Sequence, residues 1–278
     1  MNAASASDAT GAGGIISSRA WDAMREIDRG PAMLEDWARI LFIHYEVDPA
    51  ALQPQIPYEL DTFDGRAFVS LTAFHGHGLR PAFSGAAGRF FFRPAQFPFI
   101  MNVRTYVRHE NEAGIYFLAE WIPNRIAAFC GRQVFGLPFH TGRLAYRHEE
   151  NRAIGEIEDS HGEGRFAYEA EWPQEAQFAT AESGSRTEWL LERYAAFTKQ
   201  GSRRRFFRVW HPAWPQTEAS VRIREDSLLR NTGPWFDSAQ LIGANYSPGF
   251  FDVHMGRAWR LSDEEKVWAS LPAHGTKG

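Results

Sequence analysis

Hydrophobic and polar positions alternate with a period of two along most of this chain. After the Asp64-Gly65 turn, Ala67, Val69, Leu71 and Ala73 alternate with Phe68, Ser70, Thr72 and Phe74, which predicts a strand over 66–74. Segments 37–47, 99–108, 114–121, 141–149, 152–158, 164–172, 204–211, 218–224 and 241–255 read the same way, parted by Asn, Gly, Asp and Pro turns. Helical spacing is rarer. It predicts a short helix over 19–28, stopped by Gly30-Pro31, and a second over 187–197. A third is capped by Asn124 and ended by Gly136, with Ile126, Ala127, Phe129, Cys130 and Val134 as its buried positions. Ser262 with Glu265 forms a capping box for a last helix before Lys277. Residues 76–98, rich in Gly, Pro and Phe, read as a long loop. The pattern predicts an α+β, mainly β fold: one closed or sandwiched antiparallel sheet with a few helices outside. The expected organisation is a disordered tail over 1–18, a single domain over 19–260, and a C-terminal helix and tail over 261–278.

Composition narrows the function. The net charge of −4 over 278 residues argues against a nucleic-acid or acidic-membrane partner. The basic run Arg203-Arg204-Arg205 with Arg208 is interleaved with Phe206 and Phe207 and reads as a strand face. No apolar window reaches the length of a membrane span, and the start has neither a basic nor an apolar signal region, so a cytoplasmic protein is expected. One cysteine, Cys130, excludes an internal disulfide and a Cys-rich zinc site. Ser247 sits in a turn rather than a nucleophile elbow, and no glycine-rich phosphate loop follows a strand. His75 and His77 would share a face on a strand, but Gly76 and Gly78 favour a turn and no carboxylate is close in sequence. Neither a metal site nor a cofactor is expected. Among 30 basic residues, only Lys199, Lys266 and Lys277 are lysines.

The strand over 99–108 carries the most chemistry. Phe99, Met101, Val103 and Val107 fall on one face, and Asn102, Arg104 and Tyr106 on the other. An amide, a guanidinium and a phenol in a row are what a pocket uses to hold and orient a carboxylate. A solvent-facing stripe explains the same alternation.

Several longer motifs add a resemblance. Phe42-Ile43-His44-Tyr45-Glu46-Val47-Asp48-Pro49, Leu60 to Val69 and Asn102-Val103-Arg104-Thr105-Tyr106-Val107 resemble the YqjF-like family of uncharacterised bacterial proteins. So do Phe135-Gly136-Leu137-Pro138-Phe139-His140, Trp210 to Pro215 and Tyr246-Ser247-Pro248-Gly249. The match runs in order from about Trp37 to Met255. That family is a branch of the acetoacetate decarboxylase-like superfamily. The resemblance therefore implies a curved antiparallel sheet closed into a barrel, outer helices and an interior pocket for small carboxylates.

Decarboxylases of the superfamily carry Gly-Arg-Glu followed by Gly-x-Pro-Lys-Lys, and the first lysine forms a Schiff base with the substrate. Here Gly131, Arg132, Gly136 and Pro138 match, but the glutamate is Gln133 and the lysines are Phe139 and His140. Neither side chain can form an imine. The acidic residue ahead of the central strand is also missing from Phe97 to Met101. A Schiff-base decarboxylase is thus excluded, while a pocket and an anion-holding arginine carry over.

The leading expectation is a barrel that binds a small organic acid, enzyme or not. Asn102, Arg104 and Tyr106 supply its polar contacts, Phe139 stands at the vacated lysine position, and Arg132 and His140 flank the mouth. Arg104 and His140 should then converge on one enclosed cavity. A second reading is a lyase or hydratase acting on a keto or enol acid, with His140 moving the proton. A third is a structural or partner-binding protein whose interior is filled by its 22 Phe and 10 Trp. Homo-oligomerisation is compatible with all three.

Overall fold

The period-two segments become strands because each buries at least one face against another layer. A computed structural model describes residues 12–96 and 98–261. The strands are β1 (Met33–Val47), β2 (Glu59–Leu60), β3 (Ala67–Pro81), β4 (Ile100–His109), β5 (Glu112–Ile122), β6 (Phe139–His148) and β7 (Arg152–Asp159). They continue with β8 (Arg165–Glu171), β9 (Ala195–Gln200), β10 (Arg203–Trp210), β11 (Thr217–Glu225), β12 (Gln240–Met255) and β13 (Trp259–Leu261). The helices are α1 (Ala12–Glu26), α2 (Pro49–Leu52), α3 (Gly85–Phe91), α4 (Arg125–Val134), α5 (Arg186–Leu191) and α6 (Ser227–Arg230). All thirteen strands join one sheet in the order β13-β10-β9-β5-β6-β7-β8-β11-β12-β1-β3-β4-β2, with further pairings of β4 with β5 and β10 with β12. The fold is mainly β, as expected.

The sheet is not wholly antiparallel. β5 runs parallel to both β6 and β9. For β6 the cause is α4, which carries the chain back across and lets the next strand start beside the last one in the same direction. The two faces are both buried. Leu41, Leu71, Val103 and Trp121 belong to one core cluster, and Phe42, Phe74, Ile100 and Phe139 to a second.

Four expectations change. First, 76–98 is not a loop: β3 continues through His75, Gly76 and His77 to Pro81, and α3 follows. A Cβ at Gly76 would lie 2.7 Å from a carboxylate oxygen of Glu35, so the glycine permits close packing inside the strand. Second, the helix over 187–197 ends at Leu191, and Ala195–Gln200 is a strand between β5 and β10. Third, α1 already begins at Ala12, and Ser17 Oγ donates to the His211 carbonyl at 2.7 Å, so part of the expected tail is ordered structure. Fourth, α4 keeps its caps but not its buried face. Asn124 Oδ1 accepts from the Ile126 and Ala127 amides, and Gly136 follows the helix with φ 71°. Yet only Ala127 and Ala128 are buried, while Ile126, Phe129, Cys130 and Val134 are exposed. The helix sits on its small residues because the Phe139 ring already lies beneath Gly131, where a Cβ would come within 2.3 Å. The capping box at Ser262 lies outside the described residues.

Candidate functional site

Strand register assembles a buried polar surface from residues far apart in sequence. Phe42 pairs with Thr72, Thr72 with Asn102, Asn102 with Glu120, and Glu120 with Phe139. One step along, His44 pairs with Ser70 and Ser70 with Arg104. Residues paired across strands share a face, so these side chains line one side of the sheet. His44, Ser70, Thr72, Asn102, Arg104, Tyr106 and Glu120 are all buried. The polar stripe of β4 is therefore not solvent-facing.

Part of this surface is internally satisfied. His44 Nδ1 lies 2.7 Å from Ser70 Oγ, which lies 2.6 Å from the Tyr106 hydroxyl. Tyr106 donates to the Leu190 carbonyl at 3.0 Å, tying β4 to α5. On the other side His44 Nε2 is 3.2 Å from Asn245 Oδ1, and Asn245 Nδ2 donates to Gln216 at 2.7 Å.

The rest is unpartnered. Thr72 Oγ1, Asn102 Oδ1, Glu120 Oε2 and both Nε and Nη2 of Arg104 are buried without a hydrogen-bond partner. Nε and Nη2 form one edge of the guanidinium, the fork that matches a carboxylate bidentately. Arg104 stands over the Phe42 ring at 5.4 Å and forms no ion pair among the described residues. Burial lowers its pKa and the nearby Tyr106 opposes this. An arginine stays a cation nonetheless.

Its titratable neighbours are neutral. Burial pushes the Glu120 carboxyl well above its ordinary range, which favours its uncharged form. Burial, reinforced by the Arg104 charge, pushes His44 down to about 3. His211, beside Trp214 at 4.3 Å between ring centroids, is likewise pushed to about 3 by burial and Arg104, although its bond to the Pro212 carbonyl opposes the shift. The site is one unpaired cation among neutral donors and acceptors.

Phe139 lies on this surface beside Glu120, as wall rather than polar contact. Arg132 does not reach it: its Nε donates to the Phe139 carbonyl at 2.7 Å and braces the α4–β6 turn. His140 pairs with Trp121 and stacks on its ring on the opposite face of the sheet. Arg104 and His140 therefore do not converge. Two of the pockets that flank α5 come close to this surface. One of about 570 Å³ is lined by Glu188, Trp189 and Arg193, and its Trp189 ring lies 4.6 Å from that of Tyr106. One of about 150 Å³ reaches His44 and Asn245. Arg104 lines neither.

Sequence reading missed His44, Ser70, Glu120, His211 and Asn245. Two of the five, His44 and His211, stand in motifs quoted above, and Ser70 and Asn245 lie one residue outside them, so a motif search marks the neighbourhood without assigning a role. Glu120 gave no such signal: counting outward from the β4–β5 turn brings it opposite Met101, and the register shift between Val103 and Arg104 moves it to Asn102.

The family model described as DUF2071, uncharacterized conserved protein, matches residues 35–249. YqjF of Bacillus subtilis strain 168, itself described as uncharacterized, is 31% identical over 204 residues, which span 70% of this chain and 79% of that protein. The enduracididine biosynthesis enzyme MppR, complexed with the condensation product of pyruvate and imidazole 4-carboxaldehyde, has a TM-score of 0.60 at 13% identity. The match covers 84% of this chain and 91% of MppR. Acetoacetate decarboxylase from Legionella pneumophila gives 0.55 at 14%, covering 84% of this chain and 88% of the enzyme. At these identities the likeness is one of fold. No helix among the described residues is long and apolar enough to cross a membrane.

Proposed function

The chain belongs to the DUF2071 family of uncharacterized conserved proteins, with an acetoacetate decarboxylase-like fold, and from that premise we propose that it binds a small organic carboxylate anchored on Arg104. The carrying observation is the free Nε/Nη2 edge of a buried, unpaired guanidinium. Thr72, Asn102 and Glu120 complete the polar contacts, Phe139 supplies an apolar wall, and α5 covers the site. The β4–β5 and β10–β12 pairings support reading the sheet as a closed barrel around it. The 150 Å³ pocket at His44 and Asn245 favours entry beside α5 by a ligand below drug size. MppR was solved with pyruvate bound, which makes pyruvate the first probe. Calorimetric titration with pyruvate and acetoacetate is expected to show binding that Arg104→Met abolishes. Equal binding by both proteins would sink the proposal.

Glu120 supports a second reading, an acid/base enzyme of the lyase or hydratase type. A neutral carboxylic acid beside an anchored carboxylate can give its hydroxyl proton to the ligand's keto oxygen while its own carbonyl oxygen takes one from the carbon next to the keto group, without any imine. His140 is on the wrong face for that role, so Glu120 takes it. Proton exchange at the pyruvate methyl group in D₂O, followed by NMR, should be accelerated by the wild type and not by Glu120→Gln. Unaccelerated exchange in the wild type leaves binding alone.

A further inference from the structure

On the sheet face opposite Arg104, three donor groups converge where β6 begins. Gly142 pairs with Asp159, and the Ser160 amide donates to the Thr141 carbonyl at 2.9 Å, which folds the β7–β8 turn over His140. One ligand atom each from His140, Asp159 and Glu163 then lie within 4.8 Å of one another, with His140 Nδ1 3.8 Å from a Glu163 oxygen.

Trp121 fixes two of the three. Its ring stacks on His140 at 5.2 Å between centroids, and its Nε1 donates to Asp159 Oδ2 at 3.0 Å. The other Asp159 oxygen accepts from the His161 amide at 2.6 Å. Asp159 is 4% exposed, yet among the described residues no arginine or lysine pairs with it or with Glu163. Two carboxylates, one of them buried and pinned, thus face an imidazole, and among the described residues neither forms an ion pair with an arginine or lysine. Outer donors of the Trp121 kind are what orient metal-binding carboxylates.

We propose that His140, Asp159 and Glu163 form a site for a first-row divalent transition cation, with water completing its shell. The imidazole nitrogen selects against magnesium and calcium, which prefer all-oxygen shells, and the two carboxylates match a divalent charge. Three protein ligands leave positions open for exchange. The site lies on the other side of β5 and β6 from the Arg104 surface and stands independently of it, because Glu120 and Trp121, like Phe139 and His140, point to opposite faces.

The test is calorimetric titration of the metal-free full-length protein with Zn²⁺, together with Co²⁺ absorption spectra. One equivalent is expected to bind. His140→Ala and Glu163→Gln should each weaken binding by roughly tenfold or more. His140→Ala should also lose the Co²⁺ band, and excess Mg²⁺ should not displace Zn²⁺. The Glu163 side chain is 54% exposed, so its replacement leaves folding intact, and unfolding without metal checks both variants. The proposal fails if the wild type takes up no equivalent of Zn²⁺, if both variants bind as it does, or if Mg²⁺ competes.

Discussion

Arg104 concentrates the site's energetics in one side chain. A buried charge without a partner costs several kcal/mol, and replacing it with a well-packed apolar residue is commonly neutral or stabilising by about 1–4 kcal/mol. Arg104→Met is therefore expected to raise the ligand-free Tm while weakening carboxylate binding by about 2–5 kcal/mol. Arg104→Lys should also bind poorly, since an ammonium lacks the two-pronged edge. Differential scanning fluorimetry with and without pyruvate reads both effects, and a lower Tm for Arg104→Met would show that the guanidinium is structurally satisfied. Strand alternation alone brought Asn102, Arg104 and Tyr106 to one face. It could not say that the face is buried, because burial comes from α5, β12 and the Trp210–Pro215 segment, none of them local to β4. Glu120 escaped for the same reason: its environment is made by strands on either side of it.

At the scale of elements, the α4–β6 turn shows how the fold fastens a helix to the strand that follows it. Arg132 clamps the Phe139 carbonyl, and the Phe139 ring fills the space under Gly131. Gly131→Ala would gain about 1 kcal/mol of helix propensity. Against that, a Cβ 2.3 Å from the ring forces repacking at about 1–3 kcal/mol. The clash wins, so the substitution is expected to lower Tm, and an increase would refute the packing described. The same placement lifts Cys130 into solvent, where one equivalent of a thiol reagent should react rapidly with the folded protein. Slow reaction would mean that the helix is covered. Helix caps were legible in Asn124 and Gly136. Which face of α4 is buried was not, because apolar spacing identifies a stripe but not what lies beneath it. The short α5 was overrun for a related reason: Ala195, Ala196 and Phe197 suit a helix locally, and only β5 and β10 make them a strand.

Across the whole molecule, buried titratable groups set opposing pH limits. His44 and His211 are held near 3, and His75 and His148 near 4, against an ordinary value of 6.5. Their neutral forms contribute stability above pH 6.5, and it is lost as pH falls toward those folded values. Glu35 and Glu192 are raised to about 7 from an ordinary 4.5, and burial raises Glu120 well above that ordinary value. Their contribution is complete below pH 4.5 and is lost as pH rises through the folded values. Stability is expected to peak near pH 6.5, with Glu120 among the groups that cause the decline on the alkaline side. Glu120→Gln should flatten that limb by up to about 1.4 kcal/mol per pH unit. Denaturant unfolding between pH 6 and 9 measures it, and parallel curves would place Glu120 in water. The mainly β architecture was visible in the sequence. The parallel pairings of β5 were not, since they depend on where the α4 crossover and β9 come to rest.

The chain from Leu190 to Asn245 has a consequence in proton counting. The Leu190 carbonyl only accepts, so the Tyr106 proton points to it, the Ser70 proton serves Tyr106, and His44 must carry a proton on Nδ1. A neutral ring then has none left for Asn245 Oδ1 at Nε2. The chain is one proton short, and burial beside Arg104 opposes adding it. Turning over the Asn245 and Gln216 amides together restores the count, because Asn245 Nδ2 then donates to His44 and Gln216 Nε2 to Asn245 Oδ1. Lifting α5 and its carbonyl away would free the chain to run in the opposite direction, with the proton on Nε2. Displacing α5 is thus coupled to the tautomer of a histidine on the far side of Ser70.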